Sequence, residues 1–183
     1  MAARFVSVDR DRQLLMPPDM REWVPENHLS HFILEAVEGF DTSGAKVNQR
    51  GSGSDQYPPT MMLALLIYSY SSGVFSSRSI EMSTYDSVAT RVLCADTHPD
   101  HDTICAFRRE NGPLLEKTFS HVLELAARIG VMKVGKVTVA IDGTKVLANA
   151  SKHSAVSYEK AGEMMRELDL EVSELLKKAE MTD

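Results

Sequence analysis

The chain has 183 residues, 43% hydrophobic and 25% charged, which is ordinary globular usage and excludes wholesale disorder. Its longest apolar run, residues 61–68, is far short of the roughly 20 residues that a membrane-spanning helix needs. The net charge of −6 argues against a surface that grips phosphate everywhere, so a nucleic-acid partner requires a local basic patch with nameable cations.

The first stretch, 1–26, carries Pro17, Pro18 and Pro25 and reads as an extended arm, with Trp23 as its anchor. Arg4, Asp9, Arg10, Asp11 and Arg12 leave it no apolar signal core. Cys94 and Cys105 are too few for a disulfide framework, so the expectation is a soluble cytoplasmic protein with no membrane partner. Asn27 can cap a helix reaching about Phe40, in which Leu29, Phe32, Ile33, Ala36, Val37 and Phe40 recur at helical spacing. A Gly- and Ser-rich loop follows over 42–59.

Pro59 suits the first turn of the next helix, which runs to Gly73 and is apolar nearly all round. That pattern places it at the centre of a bundle. Ser76 or Ser77 can cap a short helix with Ile80 and Met82 inward, and Asp86 opens another through Leu93. Asp100 or Asp102 caps the next, which carries Ile104, Phe107, Arg108 and Arg109. Asn111, Gly112 and Pro113 end that helix and open a longer one that stops at Gly130.

At Lys136 the period changes from helical to extended. The β-branched run 136–141, the Asp142-Gly143 turn and residues 144–148 predict a hairpin. A charged helix over 157–179 closes the chain. Its residues Ala161, Met165, Leu168, Val172, Leu175 and Ala179 form a seam at alternating spacings of four and three, which wants a second helix. No later sequence supplies one, so self-association through this helix is the expectation.

Three ordered blocks carry a resemblance. They are Tyr57-Pro58-Pro59-Thr60-Met61-Met62-Leu63, the segment 91–110 around Thr97-His98-Pro99-Asp100-His101-Asp102-Thr103, and 139–153 around Ala140-Ile141-Asp142-Gly143-Thr144-Lys145. With them the chain closely resembles bacterial insertion-sequence transposases of the DDE type, whose helical front part is the InsH-type N-terminal domain. The resemblance implies a helical, DNA-binding domain over 27–134 that recognises the terminal inverted repeats of the element. It implies that 135–183 begins an RNase H-like catalytic domain, with Asp142 as the first acidic residue and a metal ligand. Lys145, Lys152 and His153 would then lie near the active centre and touch phosphate.

The family's two further carboxylates would fall beyond Asp183. Two divalent cations, about 3.5–4 Å apart, serve phosphodiester displacement in such sites. The intact family would use Mg2+ or Mn2+; one carboxylate holds too few ligands, so this chain is expected to bind no stable ion and to look like a truncated, inactive transposase. A non-enzymatic remnant that binds the repeats, or pairs with itself or a full-length transposase, is the alternative.

Each feature also has a plainer reading. Asp-Gly is favoured turn chemistry without any metal. The cluster of His98, Asp100, His101 and Asp102 has the wrong spacing for zinc and reads as a helix-start turn. Arg108 and Arg109, on a helix after a turn, suit DNA contact in a helix-turn-helix-like element, and Arg78 and Arg91 can widen the patch. They suit a solvated face equally, because Asp100, Asp102 and Glu110 are close by. The fold class expected is mainly α: a helical bundle with that element, then a short β-hairpin and a long C-terminal helix.

Overall fold

The computed structural model describes residues 19–47, 56–129 and 158–182; in the last helix, side chains are described for Arg166 and for 168–182. Seven α-helices and a 3₁₀ turn make up the described part, and no strand occurs among the described residues. The predicted hairpin over 136–148 lies outside them, as do residues 1–18.

The expected extended arm ends early. Met20–Trp23 is a 3₁₀ turn capped by Asp19, and Val24 behind it is buried. Helix α1 (Leu29–Glu38) starts one residue later than expected, because Nδ1 of His28, and not Asn27, accepts the Ser30 N–H at 3.2 Å. Its apolar face delivers Ile33, Ala36 and Val37 to the core.

Helix α2 (Pro59–Ser71) is the central element. Met62, Leu63, Ala64, Leu65, Leu66 and Ile67 are all buried, so this helix is surrounded by others, as its uniform apolarity requires. Fully burying each large aliphatic side chain contributes about 1.5–3 kcal/mol, and Leu66→Ala would cost about 2–5 kcal/mol through the cavity it leaves. The helix stops in a Schellman motif: Val74 N–H reaches the Ser69 carbonyl at 2.8 Å and Gly73 N–H reaches that of Tyr70 at 3.0 Å. Gly73 sits at φ +80°, a conformation that glycine adopts without steric cost.

Helices α3 (Ser77–Asp86) and α4 (Val88–Leu93) are separated by Ser87 alone, whose hydroxyl caps α4. Asp86 therefore ends α3 and does not open α4. Met82, expected inward with Ile80, is 56% exposed, whereas Ile80 and Thr84 are buried. The inward face of this short helix runs along Ser77, Ile80 and Thr84, and Met82 falls to its other side. Helix α5 (His101–Glu110) and helix α6 (Gly112–Arg128) follow, with Asn111 as the residue between them.

Helix α7 (Tyr158–Thr182) corrects the largest sequence-based expectation. Its seam finds a partner within the chain, because α7 packs on α6. Val172 and Ala179 are buried in the same core as α2 and α6, and Leu175 and Leu176 pack against it. Ser120 Oγ of α6 donates to the Asp169 carboxylate of α7 at 2.7 Å. Ala161 and Met165, also seam positions, lie outside the described side chains. The apolar spacing announced a helical partner but could not say that an earlier helix provides it.

Candidate nucleic-acid interface

The segment that carries the four predicted arginines is α3, α4 and α5, and its geometry is fixed by short-range contacts. Thr90 of α4 places its hydroxyl within hydrogen-bonding reach of the Ser83 and Ser87 carbonyls, which holds α4 against the end of α3. Helix α4 ends in a second Schellman motif, with Asp96 N–H on the Arg91 carbonyl at 2.8 Å and Ala95 N–H on that of Val92 at 3.2 Å. Here no glycine is present. Ala95 and Asp96 hold φ values of 47° and 60°, in the left-handed region that costs an L-residue roughly 1–2 kcal/mol.

Residues 94–100 then lead into α5. They are longer than the three or four residues of a helix-turn-helix turn, so α4 and α5 follow one another without the short turn of that motif. The start of α5 is clamped from two directions. Asp100 accepts the Thr103 N–H at 2.7 Å, and these hydrogen bonds hold its carboxyl below the usual range. Glu81 of α3 accepts the His101 N–H at 3.2 Å and lies 2.7 Å from His101 Nδ1. His98 stacks on Tyr85 with ring centroids 4.0 Å apart and meets Thr84 Oγ1 at 3.1 Å. Both histidines are thus turned onto α3, and Asp100 acts as the helix cap expected of it. Among the described residues, no three His, Cys, Asp or Glu side chains come together as a metal site.

The structure separates the arginines that the sequence groups together. Arg108 is 3% exposed; its Nη1 donates to Tyr70 Oη and to the Phe75 carbonyl, each at 3.3 Å. Its guanidinium is enclosed and supports the α2–α3 loop, so it offers nothing to a phosphate in this conformation. The next residue, Arg109, is about 100° further round the helix and is exposed. Arg91 is half-buried and occupied by Asp96, with Nη2 at 2.8 Å from the carboxylate. Arg78, at the start of α3, is exposed. Neither Arg78 nor Arg109 has an ion-pair partner among the described residues. Asp142, Lys145, Lys152 and His153 lie outside the described residues.

Asp102, with its side chain 92% exposed, and Glu110 share the open side of α5 with Arg109. The cationic surface available on this unit is therefore Arg78 and Arg109, set among acids. Cys94 is enclosed in the core, where burial pushes its thiol up to about 12 and makes it a packing residue. Sequence reasoning missed Glu81, which fixes the start of α5. Its partner is 20 residues away, and no local pattern announces such a contact.

No curated protein and no solved structure matches the chain. A protein-family model described as Transposase domain (DUF772) matches residues 18–110, from the 3₁₀ turn to the last residue of α5. No helix among the described residues is long and apolar enough to cross a membrane. The match covers just over half of the chain and includes the unit whose geometry is described above: the chain belongs to the transposase domain (DUF772) family.

Proposed function

We propose that the chain binds the ends of an insertion-sequence element as the helical front part of a DDE-type transposase. The observation that carries this reading is the family match over 18–110, because it ends with α5, the helix that presents Arg109. In this reading α5 lies against the duplex and Arg109 contacts phosphate or a guanine edge. Lys145, Lys152 and His153 supply further phosphate contacts, following the resemblance. The acids beside Arg109 keep non-specific attraction low, which leaves recognition to the repeat sequence.

Asp142 would be the first metal ligand of an RNase H-like domain. Mg2+ or Mn2+, when bound in such a domain, activates the attacking oxygen and stabilises the leaving one. A single carboxylate is too few to position two ions, so in this reading further carboxylates complete the site with Asp142.

The test is a binding titration against a duplex of the inverted repeats flanking the coding sequence, with a scrambled duplex beside it, over a series of salt concentrations. Preferential, salt-sensitive binding that weakens in Arg109→Ala supports the proposal. Equal, salt-independent binding to both duplexes overturns it.

A further inference from the structure

Helix α3 leaves one face without a partner among the described residues. A shallow groove of about 480 Å³ runs along it, lined by Arg78, Ser79, Met82, Ser83, Asp86 and Ser87. These are two parallel rows at four-residue spacing. Arg78, Met82 and Asp86 form a ridge, all three exposed, and Ser79, Ser83 and Ser87 form the low row beside it. Met82 is 56% exposed, although it is a large apolar side chain in the middle of a helix.

From this face we infer that α3 is a docking surface for α3 of a second copy of the chain, across a two-fold axis beside Met82. The face is complementary to itself in shape and in charge. Helices commonly pack by laying the four-residue ridge of one into the four-residue groove of the other. Here the serine row is low enough to receive the partner's Arg78–Met82–Asp86 ridge. Arg78 and Asp86 each stand one turn from Met82, on opposite sides and with opposite charges. A two-fold axis beside Met82, between its ridge and the serine row, therefore brings Arg78 of each copy to the partner's Asp86, and it covers both methionines at once. An isologous interface uses one patch twice, so a single helix supplies both of its halves.

The chemistry favours a second copy over a polyanion. A duplex would meet Asp86 and Arg78 on the same ridge, and the two charges cancel against phosphate. Against an inverted copy they reinforce each other. One ten-residue helix covers less than the roughly 800 Å² per partner of a standard interface, so the association belongs to the weak, concentration-dependent class.

Sedimentation equilibrium without DNA tests this independently of the proposed function. The expected result is a mass that rises with concentration from 20.3 kDa towards twice that value. Arg78→Glu and Asp86→Arg should each stay monomeric, since each places like charges together at both ends. An equimolar mixture of the two should associate again, because only the mixed pair matches at both ends. In a Cys105→Ser background, Met82→Cys should form an intermolecular disulfide under mild oxidation, and Met181→Cys, also exposed but on α7, should not. Substitutions at these exposed positions leave the fold intact, which circular dichroism checks. A wild type that remains at 20.3 kDa at every concentration overturns the inference, as does a mixture that fails to associate. So does an Arg78→Glu variant that loses DNA affinity while its self-association is unchanged.

Discussion

The side chain of Asn111 pairs with the backbone of Lys46. Its Oδ1 accepts the Lys46 N–H at 2.7 Å, and its Nδ2 lies 3.4 Å from the Lys46 carbonyl, across a separation of 65 residues. Asn111 is 3% exposed and also bonds back to the Phe107 carbonyl at 3.2 Å. One amide thus fastens the loop between α1 and α2 to the junction of α5 and α6. It also explains why α6 begins without a side-chain cap: the amide at that position is committed elsewhere.

Asn111→Ala should therefore destabilise the chain by about 1–3 kcal/mol, since it leaves a backbone N–H without its partner in a confined place. Asn111→Asp keeps the acceptor but sets a buried carboxylate against the Lys46 and Phe107 carbonyls, so its cost should be higher at neutral pH. Urea denaturation followed by circular dichroism reads both, and equal costs would contradict the pairing described.

Arg108 and Arg109 should behave oppositely despite being neighbours. Arg108→Ala removes the donor for Tyr70 Oη and the Phe75 carbonyl and should lower stability by about 2–3 kcal/mol. Arg109→Ala should change stability by less than about 0.5 kcal/mol. In the proposed DNA complex it should reduce the slope of log affinity against log salt by roughly 0.9. Thermal melts and binding titrations on the same two variants make the comparison.

The left-handed alanine at the end of α4 offers a stabilising change. Ala95→Gly relieves the strain at φ 47° but makes the unfolded chain more flexible, and the first effect should win by about 0.5 kcal/mol. A higher melting temperature is the expected outcome. Asp96→Gly should not match it, because that change also releases the Arg91 side chain held at 2.8 Å.

Asp100 gives the chain an acid-sensitive helix cap. Its carboxyl titrates below the ordinary aspartate value in the folded state, mainly because it accepts the Thr103 N–H. A depressed folded value means that the stabilisation is complete above the unfolded value and fades as pH falls through the folded one. Asp100→Ala should cost about 1 kcal/mol at neutral pH. That difference from the wild type should shrink below about pH 4. Stability curves for both proteins across this range measure it, and a pH-independent difference would remove the carboxylate from the argument.

Much of the helical order was readable along the chain because its signals are local. Pro59 opens α2 and Gly73 closes it; apolar spacing marks α1, α6 and α7; Asp100 caps α5. The three sequence blocks pointed to a transposase before any packing was known, and the family match over 18–110 covers two of them. The Asn27 and Asp86 expectations missed by a single residue, because several side chains near a helix start can satisfy its free N–H groups.

Sequence alone determined where helices form, since propensity, capping and periodicity act between residues no more than a turn or so apart. Only the tertiary structure decided what each helix meets. It gave the α7 seam to α6, enclosed Arg108 beside Tyr70 while leaving Arg109 in solvent, and left Met82 outside. Those outcomes depend on which of several apolar or charged faces wins a common neighbour, and the contacts that settle it, such as Glu81 with His101 or Lys46 with Asn111, join residues 20 and 65 positions apart.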